Sequence, residues 1–389
     1  MKGFELITAT ARPADYWSGV KALYAADETK AADPDVFDGG IAIRSAPWSL
    51  ELYPTMACNV SCVHCYAQTR NEQYGFSGMS IEMMDRLHAS ITRMGVRGVQ
   101  YCGGGEPTLW RGGKVADYIV GLPEQARAAM ASNLIKGHVL ARADVLAKMT
   151  FIEAAVFGYD DPTYTEVAGG RGGHTAMTRA VRAILDARDK AGLSTPVVNA
   201  KVLINNRNYT WLPRIYDWAT STGFDNVHLR LVDDYEGIGG FTLNDAQRAE
   251  FRELLSTFAK DQGITAWLDQ LDLIMGDKGA ADDHRWCWTV AIGLNCWVLA
   301  NGEVYACGPQ WGRSDYLIGT LEENDLEDIW RGERHRQVAQ RLIDSMAASR
   351  CFATGCRHIK QTMAIEAWRA GALPAPPADE FASRHAWFL

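Results

Sequence analysis

The chain of 389 residues contains no uninterrupted apolar run of membrane-spanning length, and it has no N-terminal stretch that is first basic, then apolar, then small-residued. A spanning helix and a secretory signal are therefore not expected, and the sequence reads as cytoplasmic. Basic excess is missing as well. There are 39 Lys and Arg against 47 Asp and Glu, leaving a formal charge of -8, which disfavours a nucleic-acid polymer as partner. Internal repeats and low-complexity tracts are absent. Between residues 103 and 286 there is no cysteine.

The cysteines that are present fall into groups. Cys58, Cys62 and Cys65 form one, and Cys287, Cys296, Cys307, Cys351 and Cys356 form another, with Cys102 apart. A reducing cytosol disfavours disulfides, so clustered thiols point to metal binding or chemistry. Zinc sites usually take four ligands, and three neighbouring thiols leave one position open. In an iron-sulfur cube each iron needs one external ligand, so three cysteines leave one iron free to hold a substrate or cofactor.

At 47% apolar and 22% charged, the chain has ample material for a core. Apolar runs at Ser49-Tyr53, Gly98-Tyr101, Ala126-Ala131, Ile152-Phe157, Val197-Ile204 and Asn226-Leu231 predict strands, each followed by a helix-like pattern. Ser80 is placed as a cap before the helical stretch that ends at Met94. Six βα units in series imply an α/β fold with parallel strands and crossover helices, without separating an open sheet from a barrel. After Trp286 the pattern changes to short β segments, and Asn301-Gly302 predicts a hairpin turn.

The C-x3-C-x2-C spacing just after the first strand resembles the signature of the radical S-adenosylmethionine (radical SAM) superfamily, in which the free iron is chelated by SAM. Further elements follow in the family's order. Gly104, Gly105, Glu106 and Pro107 resemble its "GGEP" element, the glycines letting backbone approach a ligand and the carboxylate suited to SAM's ammonium. Ser132 and Asn133 occupy the polar positions after the third strand, Asn205 and Asn208 follow the fifth, and Arg230 on the sixth suits a carboxylate. The family's Ser-x-Asp falls on Phe157 to Tyr159, which departs from the pattern. Where an aromatic usually precedes the third cysteine stands His64, with Tyr66 on the other side, and either suits the adenine. The resemblance implies a (βα)6 partial TIM barrel over residues 46–245, with [4Fe-4S] cluster and SAM at the C-terminal ends of the strands.

In the C-terminal group, Cys287, Gly302 and Cys307 fit the opening of the SPASM and twitch extensions found on radical SAM enzymes, and Gly319, Leu321, Ile329 and Trp330 match the stretch that follows. Cys351 and Cys356 would complete four ligands for a second, auxiliary [4Fe-4S] cluster, with Cys296 the alternative to Cys287. Five cysteines are fewer than a full SPASM extension carries, which suits the shorter twitch type. Zinc is the rival metal for this group. The implied division is an N-terminal segment (1–45), the barrel (46–245), a helical connection (246–285), a small α+β extension (286–370) and a tail (371–389).

The resemblance implies reductive cleavage of SAM to a 5'-deoxyadenosyl radical that abstracts hydrogen from a substrate, with an external one-electron reductant such as flavodoxin or ferredoxin. Too few residues precede the first strand for the leader-recognition domain of peptide-modifying members. A small molecule of sugar, aminocyclitol or nucleoside type is thus expected ahead of a short ribosomal peptide. Asp233, Asp234, Tyr235 and His284 lie in loops suited to substrate contact or proton transfer. A non-catalytic electron-transfer protein would need the cysteines but not the GGEP, Asn133 and fifth-strand elements, and a zinc-binding module would leave the βα series unexplained. Two fully loaded cubes would give about eight irons per chain. The Cys58/Cys62/Cys65→Ala variant is expected to keep about four of them, as measured by iron and labile sulfide content with Mössbauer spectra. A variant holding none would assign the C-terminal group to zinc or to no metal.

Overall fold

The apolar runs become strands whose two faces do different work. In the computed structural model, which describes residues 40–67, 75, 78–170, 172–232, 234, 239–269, 271–275 and 286–349 with 358, 362, 365–367, 370–372 and 388, six strands pair in parallel with their chain neighbours. They are β1 (Ser49–Leu52), β2 (Gly98–Tyr101), β3 (Arg127–Ser132), β4 (Met149–Val156), β5 (Val197–Ile204) and β6 (Asn226–Leu231). The expectations placed on Asp233, Tyr235, His284, Cys351 and Cys356, and on most of both termini, lie outside the described residues.

Three strands differ from the sequence pattern at their ends, β3 also starting at Arg127 and β4 also stopping at Val156. β1 stops at Leu52, so Tyr53 lies beyond it. β4 begins at Met149 and not Ile152, because Met149 pairs with Ala128 across a register shift. β3 runs on to Ser132, which pairs with Ala154. These ends are set by ladder partners rather than by hydrophobicity.

Alternation along each strand sorts the core. Leu50, Leu52, Val99, Tyr101, Ile152, Ala154, Val198, Ala200 and Leu229 pack toward the helices in one large cluster. The helix Ile81–Met94 shows why such segments form. Ser80 accepts from the Met83 amide as N-cap, Gly95 closes the end in the left-handed region, and Met84, Leu87 and Ile91 are buried along one face. On the opposite, inner face lie Tyr53, Cys102, Trp297, Tyr305 and Trp311 in one cluster, and Ala129, Phe151, Val197 and Phe388 in another.

The C-terminal region continues this sheet. Strand β7 (Asn295–Val298) adds in parallel to the free edge of β1, with Ser49 opposite Asn295 and Leu52 opposite Val298. Strands β8 (Glu303–Tyr305) and β9 (Leu317–Thr320) then follow antiparallel, giving the order β6-β5-β4-β3-β2-β1-β7-β8-β9. The predicted hairpin turn is present, with Gly302 at φ +87°, a conformation that a side chain would strain. The sheet is mostly parallel, with helices on one face, and matches the α/β partial-barrel expectation.

Because β7 covers the edge of β1, the barrel strands depend on residues far along the chain. Ending the chain at residue 285 would expose β1 as an unpaired edge beside buried aromatics. Such a truncation is expected to aggregate or elute as oligomers in size-exclusion chromatography. A monodisperse folded 1–285 fragment would contradict this dependence.

Candidate active site

The loops at the C-terminal ends of β1 and β2 meet through backbone bonds, and the loop after β3 joins them through the Glu106 side chain. The Gly105 amide donates to the Thr55 carbonyl at 2.9 Å and the Glu106 amide donates to the Ala57 carbonyl at 2.9 Å. A Cβ at Gly105 would stand 2.1 Å from the Ala57 carbonyl oxygen, and one at Gly104 would stand 2.2 Å from Met56 Sδ. The two glycines make room for the segment that leads into Cys58.

Glu106 is buried and its carboxylate is fully engaged. Oε1 accepts from the Thr108 amide at 3.0 Å, Thr108 Oγ1 at 2.7 Å and Ser132 Oγ at 2.7 Å, while Oε2 accepts from the Asn133 amide at 2.8 Å. Burial raises its pKa and these bonds oppose the rise. Asn133 extends the link, donating from Nδ2 to Asn59 Oδ1 at 2.8 Å and lying 4.0 Å from Cys58 Sγ. Cys58, Glu106, Ser132 and Asn133 are therefore brought together.

The cysteine loop is held from below by the end of helix Asp161–Ala168, where the Ser61 and Val63 amides donate to the Ala168 and Val167 carbonyls. Cys58 is exposed, and Cys62 and Cys65 are half-buried. Desolvation, with smaller contributions from Glu106 and Cys65, pushes the Cys58 thiol up to about 11. Desolvation also raises Cys62, helped by Cys65 and Cys58. Three thiols that feel one another's charge, beside a buried carboxylate, suit a strongly cationic group, which favours their thiolate forms. Among the described residues no three His, Cys, Asp or Glu converge on a single-ion site, and the thiols of a cube ligate separate irons.

The other expected residues are distributed around this centre. The His64 ring lies against Phe157 at 5.4 Å and Phe241 at 6.3 Å, and burial lowers its pKa to about 4. Tyr66 faces Trp311 at 6.0 Å, below the extension. Asn205 and Asn208 are fully buried and brace the turn after β5. Asn208 Oδ1 accepts from the Asn205 amide at 2.8 Å, and Asn208 Nδ2 donates to the Phe157 and Leu203 carbonyls. Arg230 stands opposite Leu203 on β6. Asp234 accepts from the Gly239 amide at 2.8 Å. Cys287 and Cys307 are half-buried, each just before a short helical turn, whereas Cys296 is buried on β7.

Sequence reasoning missed Asn59, Thr108 and Trp311. Thr108 follows the GGEP element directly, so its spacing offered a signal. Trp311 could be placed only by the fold.

Gly105→Ala tests the loop contact. The added methyl would displace the cysteine loop, so the variant is expected to lose about four irons on reconstitution while the C-terminal group keeps its share. Full iron content at unchanged thermal stability would contradict the contact.

Comparison with curated protein sequences finds no match. Residues 287–357 match the SPASM iron-sulfur cluster-binding domain family. Among solved structures, the chain is similar to Streptococcus suis SuiB bound to the precursor peptide SuiA, at 15% identity over 80% of this chain and 68% of that one, with a TM-score of 0.54. It is also similar to anSMEcpe with bound AdoMet, at 12% identity over 83% of this chain and 97% of that one, with a TM-score of 0.52. With the three-cysteine loop, the GGEP element and the matched C-terminal region in their places, the chain has the radical SAM fold and carries a SPASM-type iron-sulfur extension.

Proposed function

We propose that the protein is a radical SAM enzyme that cleaves S-adenosylmethionine reductively and abstracts a hydrogen atom from an organic substrate. The observation that carries this reading is the junction of the Cys58–Cys65 loop with Glu106, Ser132 and Asn133 at the ends of three parallel strands. A bound, reduced [4Fe-4S] cluster would supply the one electron needed to cleave the S–C5' bond of SAM to methionine and a 5'-deoxyadenosyl radical. Cys58, Cys62 and Cys65 would hold that cluster. Glu106 fixes the backbone that presents Cys58, and its own carboxylate, already saturated by Thr108, Ser132 and Asn133, acts first as a positioning group. His64, packed against Phe157 and Phe241, shields the loop from water. Arg230 remains the carboxylate partner in this reading, and Gly104 belongs to the backbone cradle.

Cys287, Cys307, Cys351 and Cys356 are assigned to an auxiliary [4Fe-4S] cluster. The burial of Cys296 in the β7 core supports Cys287 ahead of it. Such a cluster would accept an electron from the substrate radical or assist sulfur chemistry. The enzyme would work in the cytoplasm with flavodoxin or ferredoxin as electron donor. The substrate is read as a small molecule of sugar, aminocyclitol or nucleoside type in a biosynthetic pathway. A short peptide is the second reading, supported by the capture of SuiB with SuiA and of anSMEcpe with the Kp18Cys peptide.

Under dithionite the reconstituted protein is expected to release 5'-deoxyadenosine from SAM, and the Cys58/Cys62/Cys65→Ala variant to release none, by liquid chromatography. Cleavage retained by the variant would remove the central claim.

A further inference from the structure

Behind the cysteine loop, the inner face of the sheet carries a layer of polar side chains that the sequence reading left unassigned. Glu153 on β4 and Lys201 on β5 form an ion pair at 2.5 Å. His228 on β6, opposite Lys201 in register, stands 3.7 Å from the second Glu153 oxygen. Across the layer, the Cys102 thiol donates to Glu51 on β1 at 3.5 Å and is close enough to feel the charges of both Lys201 and Glu153.

The layer has an apolar floor and a ceiling. Two residues before Glu153, Phe151 pairs in register with Val197, and both pack with Ala129 and Phe388. Above it, Cys102 packs in one cluster with Cys65 and Tyr66 of the cysteine loop. Whatever occupies this layer therefore lies next to the cluster that joins Cys102 to Cys65 and Tyr66. It is reached from the β6 side, where side-chain exposure rises from 13% at Glu153 to 22% at Lys201 and 61% at His228. The wall at β3 and β4 is kept low by Ala131, opposite Glu153, and Ala155, opposite Lys201, whose Cβ atoms are the whole of their side chains.

A stability role does not explain the pair. Desolvating two charges costs several kcal/mol, and an apolar pair of like volume is often at least as stable. Burial pushes the Glu153 carboxyl up, but Lys201 and His228 more than offset it and hold the group ionised. What the pair retains is hydrogen-bonding capacity. Lys201 has three N–H donors and spends one on Glu153, while Glu153 Oε1 lies beyond hydrogen-bond distance of His228. On this pair one acceptor and two donors stand side by side, and its two charges cancel. A charged ligand group would leave the pair unbalanced, whereas two adjacent hydroxyls would not.

We infer that Glu153 and Lys201 form a substrate-recognition site for a neutral vicinal diol, as carried by a sugar, cyclitol or nucleoside, with one hydroxyl donating to Glu153 and its neighbour accepting from Lys201. The inference rests on the proposed radical SAM reading for its catalytic meaning, but binding can be measured without turnover. The reconstituted full chain, with SAM present and reductant absent, would be titrated calorimetrically with myo-inositol, methyl glucoside and uridine, and with cyclohexanol as the diol-free control. Single removals strand a buried charge, so the informative variant is Glu153→Gln/Lys201→Met, which removes both.

At least one diol is expected to bind the wild type, cyclohexanol to bind negligibly, and the double variant to lose about tenfold or more in affinity, equivalent to about 1.4 kcal/mol, at unchanged or higher melting temperature. No diol binding, equal binding of cyclohexanol, or undiminished binding by the folded double variant would each overturn the inference. A wild type that binds the diol but releases no 5'-deoxyadenosine under dithionite would sink the reaction and sustain the site. One that cleaves SAM but binds no diol would do the reverse.

Discussion

Glu106 receives four hydrogen bonds in a buried setting and, through its own amide, holds the backbone that enters the cysteine loop. Three strand ends converge on this one side chain. A buried carboxylate left without donors costs several kcal/mol, so the geometry of Thr108, Ser132 and Asn133 is fixed by the need to satisfy it. The cysteine loop inherits that order. Its thiols would otherwise hang on a segment with one exposed member and no regular secondary structure between Val60 and Cys65.

The second constraint is lateral. β7 places Trp297 beside Glu51 and brings Trp311 onto Tyr53 and Tyr66, each with ring centroids 6.0 Å apart. The extension is thus packed against the residue that follows Cys65, and the turn that begins at Cys307 ends at that same Trp311. The two cysteine regions share an aromatic contact, so a change in one loop is felt in the other through packed side chains.

Much of this was legible in the sequence where local chemistry decides. The Ser80 cap, the Asn301-Gly302 turn and three of six strands match residue for residue, because caps, turns and alternation are local. Glu106 stood out through its motif, but its saturation did not. It depends on Ser132 and Asn133, which reach it only after β2 and β3 pair. The hydrogen bonds by which Asn205 and Asn208 close the turn after β5 were not legible either, since Asn208 reaches the Phe157 carbonyl only once β4 and β5 pair. The Glu153–Lys201 pair left no mark in the chain, because residues 48 positions apart become neighbours only through the β4–β5 register.

The parallel pairing of β7 with β1 also carries a temporal consequence. Ser49 and Asn295, joined by a side-chain hydrogen bond, are separated by 246 positions, so the first strand cannot acquire its second neighbour until most of the chain has left the ribosome. Through that interval β1 has a bare edge and the Tyr53 side of the inner face lacks its cover. Contacts of such long sequence separation form slowly and leave apolar surface exposed meanwhile. The Tyr53 side of the inner face, one residue beyond the strand, is thus covered late in synthesis, whereas the bonds that order the cysteine loop all come from residues 55 to 168 and can form before the C-terminal region arrives.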